Sequence, residues 1–314
     1  WEGYRQAKRA YTVLGHPERV ALVETNEKHG FTRHLREGAV RFFTRWLQGR
    51  VVEIIEAENV RVRADAELQV TPEGQVLQLK NARSMFDWLE ADARQLAAQR
   101  LPLTRERLRA VTGIRELKEL PVLKVTKILR EGLPAPLIFH PEPGIPLPAL
   151  YWPQGKQAPV LITPDAGLNS VLPQVAKLQA TGHPVLVVDL RDLGETATRN
   201  WRFYGADWYI AYLLGRSYLA MRTEDIFACA NWLAKSHKTK SIQIIAHGET
   251  ITAAQHAAAL EAQLFGKLTL TDPAPDWEAL LTHNQANRYL HTIHPRALLH
   301  YDLPDLKKLR QSRD

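Results

Sequence analysis

Ser241-Ile242-Gln243-Ile244-Ile245-Ala246-His247-Gly248-Glu249-Thr250 runs straight into Ile251-Thr252-Ala253-Ala254, and this stretch decides the fold. Its apolar run from Ile242 to Ala246 has the character of a strand buried in a sheet. His247 and Gly248 predict a tight turn, and an Ala-rich helix follows at once. A strand that feeds a helix through so sharp a turn is the setting of a nucleophile elbow, G-x-S-x-G, which lifts a serine hydroxyl clear of the sheet. Here Ala246, Gly248 and Thr250 hold the positions of the first glycine, the serine and the last glycine. Gly248 has no side chain and cannot attack a carbonyl. His247 stands one position early and Glu249 one position late, so neither reaches the apex without rebuilding the turn. The elbow is expected to be catalytically silent; a relocated nucleophile or a carboxylate role for Glu249 are the alternatives.

Working outward, strand and helix patterns alternate. Pro159-Val160-Leu161-Ile162-Thr163 and Pro184-Val185-Leu186-Val187-Val188-Asp189 read as buried parallel strands, with Leu268-Thr269-Leu270-Thr271 as another. Helical patterns over 172–180, 223–235, 250–264 and 276–281 separate them. Leu137-Ile138-Phe139-His140 and Leu147-Pro148-Ala149-Leu150-Tyr151 flank Pro141-Glu142-Pro143-Gly144, which predicts an antiparallel lead-in hairpin. The order predicts an α/β fold over 121–314, with a mostly parallel sheet, flanking helices and right-handed crossovers.

Two other kinds of sequence precede it. Over 1–50, a helical pattern from Tyr4 to Leu14 is followed by a predicted strand, Arg19-Val20-Ala21-Leu22-Val23-Glu24. The loop Lys28-His29-Gly30-Phe31 comes next, then a helix from Arg36 to Gln48 that Gly49 stops. Over 51–120 nothing assembles a site, and a spacer or accessory segment is expected. Leu68 to Leu79 alternates around Pro72-Glu73-Gly74 and predicts a β-hairpin. Ser84 to Arg100 and Thr104 to Val111 predict amphipathic helices, with Ser84 as an N-cap and Gly113 closing the second.

From about 130 onward the chain resembles α/β-hydrolases of the acetylxylan-esterase and dienelactone-hydrolase-like group. Val187-Val188-Asp189-Leu190-Arg191-Asp192-Leu193-Gly194-Glu195-Thr196, the elbow stretch and Tyr301-Asp302-Leu303-Pro304-Asp305-Leu306 carry the resemblance. Residues 1–50 resemble the end of such a domain, where the last strand leads to a catalytic His-Gly loop and a final helix rich in Arg and Trp. The matching segments are Lys28-His29-Gly30-Phe31 and Arg41-Phe42-Phe43-Thr44-Arg45-Trp46-Leu47. The resemblance implies an esterase-type serine hydrolase acting on a carbohydrate or small carboxylic ester, with no metal and no organic cofactor. It implies that His29 is the triad base of a preceding hydrolase domain, and that 121–314 is the first and central part of a second, inactive one. A tail before a head is expected of a fragment from a tandem-domain protein; circular permutation is the alternative. The implied partners are an ester or carbohydrate substrate and a second hydrolase domain of the same protein. The competing reading is a pseudo-hydrolase that serves as a carbohydrate-binding or scaffold module.

Other candidates are weighed against plain structural roles. After the strand 160–163, relatives tend to carry His-Gly-x-Gly as the oxyanion loop; here it is Pro164-Asp165-Ala166-Gly167, and Pro164 has no N–H to donate. Asp189 and Asp192, at the carboxyl end of a parallel strand, read as loop anchors, and Asp272 as a less favoured displaced triad acid. Trp201, Phe203, Tyr204, Trp208, Tyr209, Tyr212 and Tyr218 form either an aromatic platform for a sugar or a lid that buries its rings. His283, His291, His294 and His300 match no metal-binding spacing. Ser170 and Ser217 are the serines through which a relocated site could act, with helix capping the simpler role for Ser170.

Composition sets the bounds. At 45% hydrophobic and 24% charged residues the chain reads as globular, and its longest apolar runs fall well short of the roughly 20 residues of a membrane span, so no membrane partner is expected. The single Cys229 excludes an intrachain disulfide and a Cys-rich zinc site, and its helical surroundings read as core. The net charge of +7 raises nucleic acid as a partner, but the basic residues are interspersed with acids and no nucleic-acid contact is expected. The compartment is unknown: so little cysteine fits the cytoplasm and a secreted or periplasmic location equally well.

Overall fold

The computed structural model describes residues 1–129, 132, 134–198, 205–273, 275–282 and 286–312, with the backbone alone at 282 and 286–288. The chain divides into two units, Trp1–Lys80 and Asn81–Asp314.

The first unit holds α1 (Glu2–Val13), α2 (Arg33–Gln48) and the single turn α3 (Asp65–Leu68). Gly49 ends α2 in the left-handed conformation, φ 65°, as its position predicts. Two expectations fail here. The strand predicted over 19–24 is a 3-10 turn, Pro17–Arg19, followed by chain with no ladder partner. Val23 packs on α2 instead, its methyls 2.9 Å from where a Cβ on Gly38 would stand. The hairpin predicted over 68–79 is a helical turn and a 3-10 turn, Val76–Gln78. A two-stranded hairpin needs a hydrophobic surface beneath it. None is supplied: Val70 is 97% exposed, and Leu68, Val76 and Leu77 are exposed too.

The second unit begins with α4 (Met85–Gln99) and α5 (Arg105–Thr112). Ser84 caps α4 in a reciprocal box with Asp87, Thr104 caps α5, and Gly113 closes it at φ 68°. Leu108 and Ile114 lie in the main core, and Arg105 Nε donates to the Ala259 carbonyl at 3.1 Å. The segment expected as a spacer, 51–120, is thus divided: 81–120 belongs to the second unit, because its apolar helix stripe finds a core there.

The remaining elements are β1 (Lys124–Lys127), β2 (Ala135–Glu142), β3 (Ile145–Trp152), β4 (Val160–Thr163), α6 (Leu172–Ala180), β5 (Val185–Val188), α7 (Ala206–Leu213), α8 (Tyr218–Ser236), β6 (Ile242–His247), α9 (Ile251–Leu260), β7 (Phe265–Thr271), α10 (Trp277–Thr282) and α11 (Leu303–Gln311). One seven-stranded sheet runs in the order β1-β2-β3-β5-β4-β6-β7. The block β5-β4-β6-β7 is parallel, and the lead-in hairpin β2–β3 joins it antiparallel through β3. Five of the seven strands point the same way. Every residue of β4 and β5 is buried, as expected of strands covered on both faces. Each such Val, Leu or Ile contributes about 1.5–3 kcal/mol of burial free energy. Ala253, Ala254, Ala257, Ala258 and Ala259 are buried in α9. Small residues let that helix approach the sheet closely, which explains the Ala-rich run after the turn.

Asp302 organises the far end. Its Oδ1 accepts the N–H of Trp277 at 3.0 Å and of Leu303 at 2.7 Å, and its Oδ2 that of Glu278 at 3.1 Å. One carboxylate therefore serves the N-termini of both α10 and α11. Cys229 is wholly buried, and burial pushes its thiol well above the ordinary range.

Candidate functional site

The carboxyl ends of β4, β5 and β6 meet where ligands bind in open α/β sheets. β6 delivers Gly248 to the apex of the turn with φ 49°, in the left-handed region. Thr250, at the position of the motif's last glycine, is fully buried and closes the turn. Its Oγ1 donates to the Thr163 carbonyl at 2.7 Å and accepts the His247 N–H at 3.2 Å. The end of β4 and the start of α9 are thereby pinned together.

The apex is occupied from the other side. A Cβ built on Gly248 would stand 1.7 Å from Asp165 Oδ2 and 2.4 Å from its Cγ. Asp165 comes from the loop after β4, where an oxyanion hole would be built. Its carboxylate fills the space that a side chain at 248 needs. The degenerate glycine and the degenerate loop are two halves of one packing arrangement.

His247 is fixed rather than poised. Its Nε2 pairs with Gln174 Oε1 at 3.0 Å, and its side chain also accepts from the Thr250 backbone. Burial holds its imidazole below the ordinary range, against the opposing pull of the Asp165 and Asp272 carboxylates. Glu249 is committed to Arg222 at 3.3 Å. Asp189 is buried, and its Oδ2 accepts the Glu195 N–H at 3.0 Å, which anchors the loop after β5. Burial raises its carboxyl to about 6. Asp192 anchors the same loop through Thr198, accepting its N–H at 2.9 Å and its Oγ1–H at 2.6 Å. Asp272 is exposed at the end of β7.

His29 lies on an exposed loop of the first unit, and among the described residues its side chain makes no hydrogen bond or ion pair. Ser170 does not cap α6, as its position had suggested. A 3-10 turn over Leu168–Val171 intervenes, and Ser170 Oγ donates back to the Gly167 carbonyl at 2.7 Å.

Ser217 is different. It caps α8, accepting the Ala220 N–H at 3.2 Å, and its Oγ lies 2.9 Å from His294 Nδ1. The other ring nitrogen of His294 bonds the Val111 carbonyl at 2.9 Å. Burial lowers the His294 imidazole and favours its neutral form, and the Val111 carbonyl, which can only accept, sets Nε2 as the protonated nitrogen. Hydroxyl, base and orienting acceptor stand in line, although Ser217 is only 3% exposed. Sequence spacing carried no sign of this pair, whose members are brought together only by the packing of α8 against the 294–300 segment.

The histidines separate. His291 pairs with Asp207 at 2.7 Å, while His283 lies outside the described residues. Asp192, Asp207 and His291 offer donor atoms within 4.8 Å of one another, a set whose chemistry suits a divalent cation. Of the aromatic run, Trp201, Phe203 and Tyr204 also lie outside the described residues. Tyr209 and Tyr212 of α7 are 54% and 49% exposed, with Tyr212 stacked on Trp208 at a centroid distance of 5.9 Å. Among the described residues, no helix is long and apolar enough to cross a membrane.

No family model matches this chain, and no curated protein matches it either. Among solved structures, one from Bacteroides fragilis, named provisionally as an acetyl xylan esterase, aligns with a TM-score of 0.52 at 14% identity, over 78% of this chain and 75% of that one. Acetyl xylan esterase 1 from Thermoanaerobacterium sp. aligns over 69% of this chain and 76% of its own at 16% identity, with a TM-score of 0.39. That of Paenibacillus sp. R4 aligns over 74% and 75% at 14% identity, with a TM-score of 0.37. The weight rests on the first of these and on the sheet order and elbow turn described above. The chain has an α/β-hydrolase-like fold, similar to that of the Bacteroides fragilis structure.

Proposed function

We propose that the second unit is a non-catalytic member of an esterase-type hydrolase protein, serving a carbohydrate or small carboxylic ester as a binding module beside a catalytic hydrolase domain. One observation carries this reading: the Asp165 carboxylate fills the space in which the elbow side chain would act, above a glycine. Acyl transfer requires a hydroxyl at that apex and backbone donors in the loop that Asp165 and Pro164 now occupy. The half-exposed rings of Tyr209 and Tyr212 supply a sugar-stacking surface. His29 is read as the base of the companion domain's triad. The test is turnover of p-nitrophenyl acetate together with retention on acetylated xylan. No turnover is expected from this polypeptide, with retention lost in Tyr209→Ala/Tyr212→Ala. Turnover abolished by His29→Ala would overturn the inactive reading.

The Ser217–His294–Val111 alignment favours a second reading, a relocated serine nucleophile that attacks while His294 Nδ1 takes its proton. It requires turnover that Ser217→Ala and His294→Ala each abolish.

A further inference from the structure

Several arginines of the second unit are held in ion pairs. Arg109 pairs with Glu261, Arg115 and Arg216 with Glu142 and Glu224, and Arg191 with Asp225. Arg107 and Arg296 are not: among the described residues neither has a carboxylate within ion-pairing distance. Both line one cavity of about 680 Å³, between the end of α5, the start of α8 and the 294–300 segment. Arg107 Nη2 lies 3.4 Å from His300 Nδ1, and both guanidiniums act on that imidazole from nearby. Like charges gathered around a concavity repel one another and focus a positive potential into it.

Arg296 adds an independent observation. It sits at φ 64°, a left-handed conformation that strains an ordinary residue and that glycine adopts freely. Strain of this kind collects where a side chain is needed at one spot. Val111, Pro295 and Tyr212 give the same cavity an apolar wall.

We propose that this cavity binds a small organic dianion of the phosphate monoester class, with its charged end on Arg107, Arg296 and His300 and its body against Tyr212 and Val111. Two guanidinium forks and an imidazole offer more donors than a two-oxygen carboxylate can accept, and a phosphate's three terminal oxygens match them better. The volume lies in the range of small-molecule sites. Ser217 and His294 line the same cavity, so the assignment is independent of the elbow alone.

Phenyl phosphate, inorganic phosphate, benzoate and a single-stranded oligonucleotide, titrated calorimetrically into the whole chain, test it. Phenyl phosphate should saturate at one site, more tightly than inorganic phosphate or benzoate. Arg107→Gln and Arg296→Gly should each weaken it about tenfold, whereas Lys177→Gln on α6 should leave it unchanged. Arg296→Gly should do so without lowering the melting temperature, because glycine relieves the backbone. Absent saturable binding, affinity unchanged in both arginine variants, or tighter binding of benzoate, free phosphate or the oligonucleotide would each overturn the proposal.

Discussion

The elbow and the arginine-lined cavity lie in one unit and have been treated in opposite ways. At the elbow the backbone of a catalytic turn is kept, with its strand, positive φ and buried helix, while the reactive volume is filled by Asp165. At the cavity the backbone is strained at Arg296 and the volume is left open, lined by Arg107 and Arg296, which have no carboxylate within ion-pairing distance among the described residues. A fold preserves its turn geometry because the turn is part of the core: Thr250 and the buried alanines of α9 depend on it. Side chains facing the crevice carry no such obligation. The likeness to a hydrolase thus resides in packing, whereas the cavity keeps charge that is free to meet a ligand.

The largest effect expected on this comparison comes from restoring a side chain at the apex. Gly248→Ser should cost about 1–3 kcal/mol, from the left-handed backbone and the overlap with Asp165. It should gain no esterase activity. Adding Asp165→Gly should recover part of the loss. Thermal unfolding of the single and double variants measures this, and a wild-type melting temperature for Gly248→Ser would mean that Asp165 does not hold that space.

The next prediction concerns the helix behind the elbow. His256 is completely buried, bonded to the Thr252 carbonyl at 2.6 Å and the Tyr301 hydroxyl at 2.7 Å, and burial drives its imidazole down to about 3. The unfolded chain binds a proton near the ordinary value of about 6.5, so folded-state stability is fully present above that pH. It is lost as pH falls toward 3. In His256→Gln the stability–pH curve should be flatter across that window; an unchanged slope would remove His256 from the acid response.

Ser217 allows the comparison to be broken from the cavity side. As a helix cap, its replacement by alanine should cost about 1 kcal/mol and leave any ester turnover unchanged. Loss of turnover with full stability would instead make it a nucleophile. The smallest effect belongs to Asp189, whose carboxyl is raised to about 6 by burial. The folded state then holds its proton more tightly than the unfolded chain, so its contribution is present below about pH 4 and lost by about pH 6. Asp189→Asn should raise the melting temperature at pH 7 and not at pH 3.5.

Much of the second unit was legible in the sequence because its signals are local. Pro143-Gly144 between two apolar runs set the β2–β3 hairpin, Ser84 and Thr104 announced their helices, and the unbroken apolar runs 160–162 and 185–188 marked a sheet covered on both faces. The alternation over 68–79 misled because it is equally local and finds no surface to cover. The contents of the sites were not legible. Asp165 meets Gly248 only when β4 pairs with β6, and Arg107 reaches His300 only when α5 packs beside a segment far along the chain. That Gly248 stands at the elbow position could be read directly; that Asp165 fills the space above it could not.

On the proposed non-catalytic reading, no serine in this chain serves as an acyl-transfer nucleophile. Incubation with a fluorophosphonate, followed by intact-mass and peptide mapping, tests it most directly. No adduct is expected at any serine, in the wild type and in Ser217→Ala alike. A stoichiometric adduct on Ser217, absent from Ser217→Ala and blocked by an acetyl ester, would contradict it.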